Sequence, residues 1–119
     1  MNRTERDRLQ RRVEILKALA HPSRLMMVEE LAGGERCVCE LQALVGADMS
    51  TVSKHLTVLR RAGLVECDKR GLQVFYQLLS PCVLNFFDCV ESVIEAHQDR
   101  AGPKRALTCE ARSTKSKTR

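Results

Sequence analysis

At Gly63-Leu64 the spacing of apolar residues changes from about one in 3.6 to one in two, and few small folds accommodate that change where it falls. Before it, apolar residues recur at helical spacing in four consecutive stretches. After it, Val65 and Cys67 alternate with Glu66 and Asp68, and Asp68-Lys69-Arg70-Gly71 signals a turn. A second run rich in Val, Phe and Tyr follows over 73–79. The pattern predicts a β-hairpin placed after several short helices.

The stops between the helices sharpen this reading. Leu9, Val13, Leu16 and Ala20 mark a first helix over 5–20. His21-Pro22-Ser23 restarts the chain, with Pro22 suited to a first helical position and His21 to a cap. Leu25, Val28 and Leu31 form the stripe of a second helix, which Gly33-Gly34 ends. A short third helix is expected over 37–45, with Leu41, Leu44 and Val45 inward. Gly46-Ala47 turns the chain and Asp48 can cap a fourth helix over 49–62, with Val52, Leu56 and Leu59 inward. Ser80-Pro81 opens a last helix over 81–98. The expected fold is mainly α with a β-hairpin, in the order ααααββα: a winged helix-turn-helix over 1–100, followed by a basic, disordered tail over 101–119.

The last helix carries two apolar stripes, one through Cys82, Phe86, Cys89 and Val93, the other through Val83, Phe87, Val90, Ile94 and His97. Together they are wider than one small core needs. Packing the first and last helices against a second copy would bury them, so a homodimer through those helices is expected.

Charge alone does not identify a partner. The net charge is +5, and 101–119 carries all of it, with six basic residues against the single acid Glu110. The segment 1–100 balances fourteen basic and fourteen acidic residues. Any nucleic-acid site must therefore be a local cluster. Aromatic residues make up 3% and Trp is absent, which argues against stacking platforms for single strands. The N-terminus has no apolar leader and no run approaches a membrane span, so a cytoplasmic protein without membrane contact is expected. Its six cysteines then read as reduced thiols rather than a disulfide framework.

The local cluster lies on the fourth helix. Ser50, Thr51 and Ser53 are small hydroxyl residues at its start, where backbone N–H groups also favour phosphate. Lys54, His55 and Thr57 follow, and Arg60 and Arg61 close the helix. Lys69 and Arg70 sit at the hairpin turn, suited to a wing on a DNA backbone. The expected contacts to double-stranded operator DNA are Ser50, Thr51, Ser53, Lys54, His55, Thr57, Arg61, Lys69 and Arg70.

Cys37-Val38-Cys39 stands at the start of the third helix. Two thiols so close in a small DNA binder suggest a switch, worked by a soft metal, a metalloid or an oxidant. On a regular helix, residues two apart point about 200° from each other. Convergence on one ion would then need local unwinding. A helix N-terminus lowers thiol pKa, which would favour the thiolate that binds such ions.

His21-Pro22-Ser23-Arg24-Leu25, Cys37-Val38-Cys39-Glu40-Leu41, Ser53-Lys54-His55-Leu56, Leu59-Arg60-Arg61-Ala62-Gly63-Leu64-Val65, and Arg70-Gly71 with Tyr76-Gln77-Leu78 occur in one order and spacing. Over roughly 10–98 the chain resembles the ArsR/SmtB family of metal- and metalloid-sensing repressors. The resemblance implies a homodimeric winged-helix repressor that leaves its operator when an inducer binds. In the arsenic sensors it resembles, Cys-Val-Cys is joined by a third Cys three residues on, and the three sulfurs hold trivalent arsenic or antimony. Gln42 occupies that position here, a poor ligand for a thiophilic ion.

The site is expected at Cys37 and Cys39, with a third thiol from Cys109, Cys67, Cys82 or Cys89, or with none. Two thiols suit a methylated trivalent arsenical or arsenite that keeps a hydroxyl. Cys109 is the first choice because the tail can reach, whereas Cys67 reads as a core strand residue and Cys82 and Cys89 as interface residues. A zinc site on the last helix would have only Asp88, His97 and Asp99 to draw on. The alternative keeps the fold and makes the signal oxidation or reactive sulfur. No βαβ pattern surrounds the thiols and no phosphate loop or triad appears, so an enzyme is not expected.

Overall fold

The structure, a computed structural model, describes residues 1–100. The expected tail, with Cys109, lies outside the described residues. The chain divides into two compact units, Met1–Pro81 and a second beginning at Cys82.

The first unit contains α1 (Arg3–Leu19), α2 (Pro22–Leu31), β1 (Arg36–Cys37), α3 (Val38–Val45), α4 (Met49–Arg61), β2 (Val65–Arg70) and β3 (Gln73–Leu78). Most helix ends follow the residues that signalled them. Asn2, which the sequence pattern did not mark, caps α1 by accepting from Glu5 N–H at 2.8 Å, so that helix starts earlier than expected. His21 Nδ1 accepts from Ser23 N–H at 3.0 Å ahead of Pro22, so the ring caps α2. Gly63, at φ +85°, ends α4 in the left-handed region, where Leu64 N–H returns to Leu59 O at 3.1 Å. Gly71 has φ +65° at the first of two loop residues, as a type II′ hairpin requires.

One element was not anticipated. Arg36 pairs with Tyr76 and Cys37 with Phe75, so a two-residue strand joins the hairpin and the sheet runs β1-β3-β2, all antiparallel. The third helix consequently starts at Val38, not Cys37. The order is ααβααββα, a winged helix-turn-helix with a third strand on the wing.

The core of this unit is aliphatic. Met27 and Val28 of α2, Leu41 of α3, and Val52, Leu56 and Leu59 of α4 have no exposed surface, and Val65 continues the core into the sheet. These are the inward positions that helical spacing assigned to α4. On α3 the spacing overreached, because Leu44 is exposed. On α1, Leu9, Val13 and Leu16 remain exposed and only Ala18 and Leu19 are buried. Beyond Val65, β2 leaves the core and every residue of it is exposed, including Cys67, which was expected inward.

The second unit is described as α5 (Val83–Arg100), on which Phe86, Val90, Val93 and Ile94 are exposed. Among the described residues no helix is long and apolar enough to cross a membrane.

Leu56 is the central side chain of α4 in this core. Leu56→Ala should cost about 2–5 kcal/mol through lost burial and the cavity left behind, read as a lower urea midpoint.

Candidate DNA-binding and thiol site

The helix-turn-helix is α3, the turn at Gly46–Asp48 and α4. Gly46 takes φ +76° and its N–H meets Gln42 O at 2.9 Å. The Gln42 amide also spans the turn, donating from Nε2 to Ala47 O at 3.2 Å. The residue that stands where a third thiol was sought therefore braces the angle between the two helices.

Asp48 caps α4, its Oδ1 accepting from Thr51 N–H at 2.8 Å and from Ser50 Oγ at 3.1 Å. The Thr51 hydrogen bonds lower the Asp48 pKa, so the carboxylate is ionised. One of the backbone donors expected to meet phosphate is thus already used. Ser50, Thr51, Ser53, Lys54 and Arg61 are exposed and Thr57 is half-buried. Among the described residues no ion pair involves Lys54, Arg61 or Lys69.

His55 is held differently from its neighbours. Its Nδ1 lies 3.1 Å from Arg24 Nη1, and its ring centroid is 4.3 Å from that of His21. Arg24 also donates from Nε to Ala18 O at 2.7 Å. A guanidinium only donates, so Nδ1 must accept and His55 is neutral with its proton on Nε2. Desolvation, with His21 and Arg24 adding repulsion, lowers the His55 pKa. This residue pins α4 to α2. The motif that contains it was legible, but the partner Arg24, distant in sequence, was not.

At the wing, Lys69 and Arg70 are the last residues of β2 and not turn residues, because the loop falls at Gly71-Leu72, later than the Asp68–Gly71 turn expected from sequence. Lys69 is exposed. Arg70 donates to both oxygens of Glu35 and, through Nε, to Asp68 Oδ2 at 3.0 Å. Its guanidinium lies 4.6 Å from the Phe75 ring centroid. Glu35 and Asp68 raise the Arg70 pKa, so the cation is permanent and already paired.

The thiols converge. Cys37 Sγ and Cys39 Sγ lie 2.7 Å apart. The expected helix unwinding is unnecessary because Cys37 is not helical. It ends β1 and caps α3 with φ −82° and ψ 160°, while Cys39 is on the first turn. The extended backbone at Cys37 removes the rotation that would have turned the sulfurs apart. Glu40 Oε1 accepts from Cys37 N–H at 2.9 Å, fixing that backbone. Cys37 is buried and Cys39 exposed. The hydrogen bond with Cys37 raises the Cys39 pKa, contrary to the lowering expected from the helix terminus alone. The proximity of the second thiol outweighs the backbone N–H groups of Cys39 and Glu40, which act in the opposite direction. Among the described residues no group of three or more His, Cys, Asp or Glu could hold a metal, so the pair stands without a third ligand there.

Residues 21–66 match the model of the bacterial regulatory protein, arsR family. A "Biofilm growth-associated repressor" from Agrobacterium fabrum is 36% identical over 85 residues, covering 71% of this chain and 73% of that protein. The chain belongs to the ArsR family. A "Transcriptional repressor SmtB homolog" from Synechocystis is 40% identical over 81 residues, covering 68% of this chain and 61% of that protein. Among solved structures, a homodimeric winged helix-turn-helix DNA-binding domain from Mycobacterium bovis, described as a possible ArsR-family regulator, superposes with a TM-score of 0.70. It is 28% identical, covering 86% of this chain and 94% of that one. This ArsR-family chain is a DNA-binding regulator of transcription and not an enzyme.

The His55 environment sets a pH dependence. The folded pKa lies below the ordinary 6.5, so the unfolded chain binds the extra proton first. His55 therefore stabilises the fold fully above that value, and the contribution is lost as pH falls through the folded pKa. Between pH of about 7.5 and about 5.5, wild type should lose more unfolding free energy in urea than His55→Gln does.

Proposed function

We propose that this ArsR-family protein is a homodimeric repressor that leaves its operator when a thiophilic inducer, trivalent arsenic or antimony or a methylated trivalent arsenical, takes Cys37 and Cys39. The observation that carries the inducer site is the 2.7 Å approach of the two sulfurs at the start of the helix-turn-helix. Paired thiolates suit soft, thiophilic ions, and binding such an ion releases the thiol protons. The donor set fits at two ligands, and Cys109 remains the candidate third.

Cys37 ties the site to DNA binding. It ends the edge strand of the wing and caps α3, whose turn is braced by Gln42 and leads directly into α4. Drawing both sulfurs to one ligand acts on that cap and on its bond to Glu40. Ser50, Thr51, Ser53, Lys54, Thr57, Arg61 and Lys69 are the proposed contacts to double-stranded DNA, with α4 in the major groove. His55 and Arg70 reach DNA only by leaving Arg24 and Glu35. The exposed apolar residues Leu9, Val13 and Leu16 on α1, and Phe86, Val90, Val93 and Ile94 on α5, support dimerisation through those two helices. The protein acts in the cytoplasm, where its thiols stay reduced.

The same separation favours a second reading, in which the pair is oxidised. A disulfide needs about 2.05 Å between sulfurs, a short further approach. Mass spectrometry after peroxide or persulfide treatment separates the readings: an intrachain disulfide loses two hydrogens, and an arsenical adduct gains the arsenical.

Binding of a duplex from the region upstream of the protein's own gene, followed by fluorescence anisotropy, tests the inducer. Arsenite should release wild type. Cys37→Ser keeps a favoured helix cap and should bind the duplex normally, yet resist arsenite. Release of Cys37→Ser at the wild-type arsenite concentration would sink the proposal. In the same assay Lys54→Ala should flatten the dependence of log K on log salt by about 0.9, the signature of one lost phosphate contact.

A further inference from the structure

The wing is not the cationic surface that Lys69 and Arg70 suggest. Around Arg70 the outer face of the hairpin is lined by Glu35, Glu66 and Asp68, with Phe75 and Gln77. Arg70 is the centre of that surface. Nη1 and Nη2 donate to Glu35 at 3.0 and 2.5 Å, Nε donates to Asp68, and the guanidinium stacks on Phe75. Both faces of its chemistry, the donor fork and the planar cation, are occupied.

Glu35 is delivered there by the fold. It precedes β1, whose Arg36 pairs with Tyr76 on β3 and forms an ion pair with Glu30 of α2 at 2.9 Å. An isolated exposed ion pair is worth little. This one is bidentate, shared with a second carboxylate and stacked, and one partner is anchored by a strand. Carboxylate and phosphate compete for the same guanidinium fork. A phosphate that takes Arg70 also leaves a displaced carboxylate beside the DNA backbone.

We propose that Glu35 is a positioning residue that withholds Arg70 from DNA, so that the wing binds with one cation in reserve and gains a phosphate contact only when this clasp opens. The proposal rests on the reading in which the wing meets duplex DNA.

Salt titrations of duplex binding test it with wild type, Glu35→Gln, Arg70→Ala and the double variant. Glu35→Gln should steepen the salt slope by about 0.9 and tighten binding about fivefold at about 0.15 M salt, the effect of one added phosphate contact. Arg70→Ala alone should leave the slope unchanged. The double variant should lose the gain of Glu35→Gln. Asp68→Asn, which loosens the same clasp from the other side, should shift the slope in the direction of Glu35→Gln, and thermal melting confirms that each variant is folded.

An unchanged slope in folded Glu35→Gln overturns the proposal, as does flattening by Arg70→Ala alone, which means Arg70 already meets phosphate. A gain that survives in the double variant also overturns it, since bare repulsion by Glu35 would then be the cause. Failure of wild type to bind the duplex would instead count against the DNA-binding reading itself.

Discussion

The pairing of two residues, Arg36 and Cys37, with Tyr76 and Phe75 organises the functional half of this molecule. It holds Cys37 extended, which lets its sulfur approach that of Cys39. It also holds Glu35 against the wing, where it meets Arg70. A thiol pair on α3 without this strand would be two side chains on opposite faces of a helix. A wing without it would leave Arg70 held only by Asp68 and Phe75, with the Nη donors that Glu35 takes set free. Neither property belongs to the helix-turn-helix or to the hairpin alone.

Helix α4 shows how the second helix of a helix-turn-helix is fixed in place without a polar core. Its inner face is Val52, Leu56 and Leu59, wholly buried. Its ends are fixed by Asp48 and Gly63, and its middle is tied to α2 by the neutral ring of His55 under Arg24. The side chains left over, Ser50, Thr51, Ser53 and Lys54, share the exposed side of its first turns. The residues that fix the helix and those proposed to meet DNA are thus interleaved along one helix.

Much of this was legible in the sequence, because it rests on local rules. Helical spacing found the inner face of α4, and Pro22, Gly46, Asp48, Gly63 and Gly71 act where their backbone preferences place them. What escaped depends on contacts distant in sequence or on elements too short to carry a period. Two residues of β1 cannot alternate detectably. The partners of His55 and Arg70 lie 31 and 35 positions away. The apolar stripe of α1 was correctly recognised as amphipathic, but spacing cannot say whether the surface it meets belongs to its own chain. Cys67 was misplaced for a related reason: period two marks a strand and not the point at which that strand leaves the core.

Gln42 ties ligand chemistry to mechanics. Its side chain bonds across the turn to Ala47 O, and its own carbonyl receives Gly46 N–H. A sulfur at this position could coordinate but could not span the turn. In the proposed thiol site, ligand number and stiffness of the joint between α3 and α4 would therefore be set by one side chain and trade against each other. On the proposed function, a sensor with the amide would respond from a firmer joint and a sparser site, and the threshold at which it lets go of DNA would follow from both.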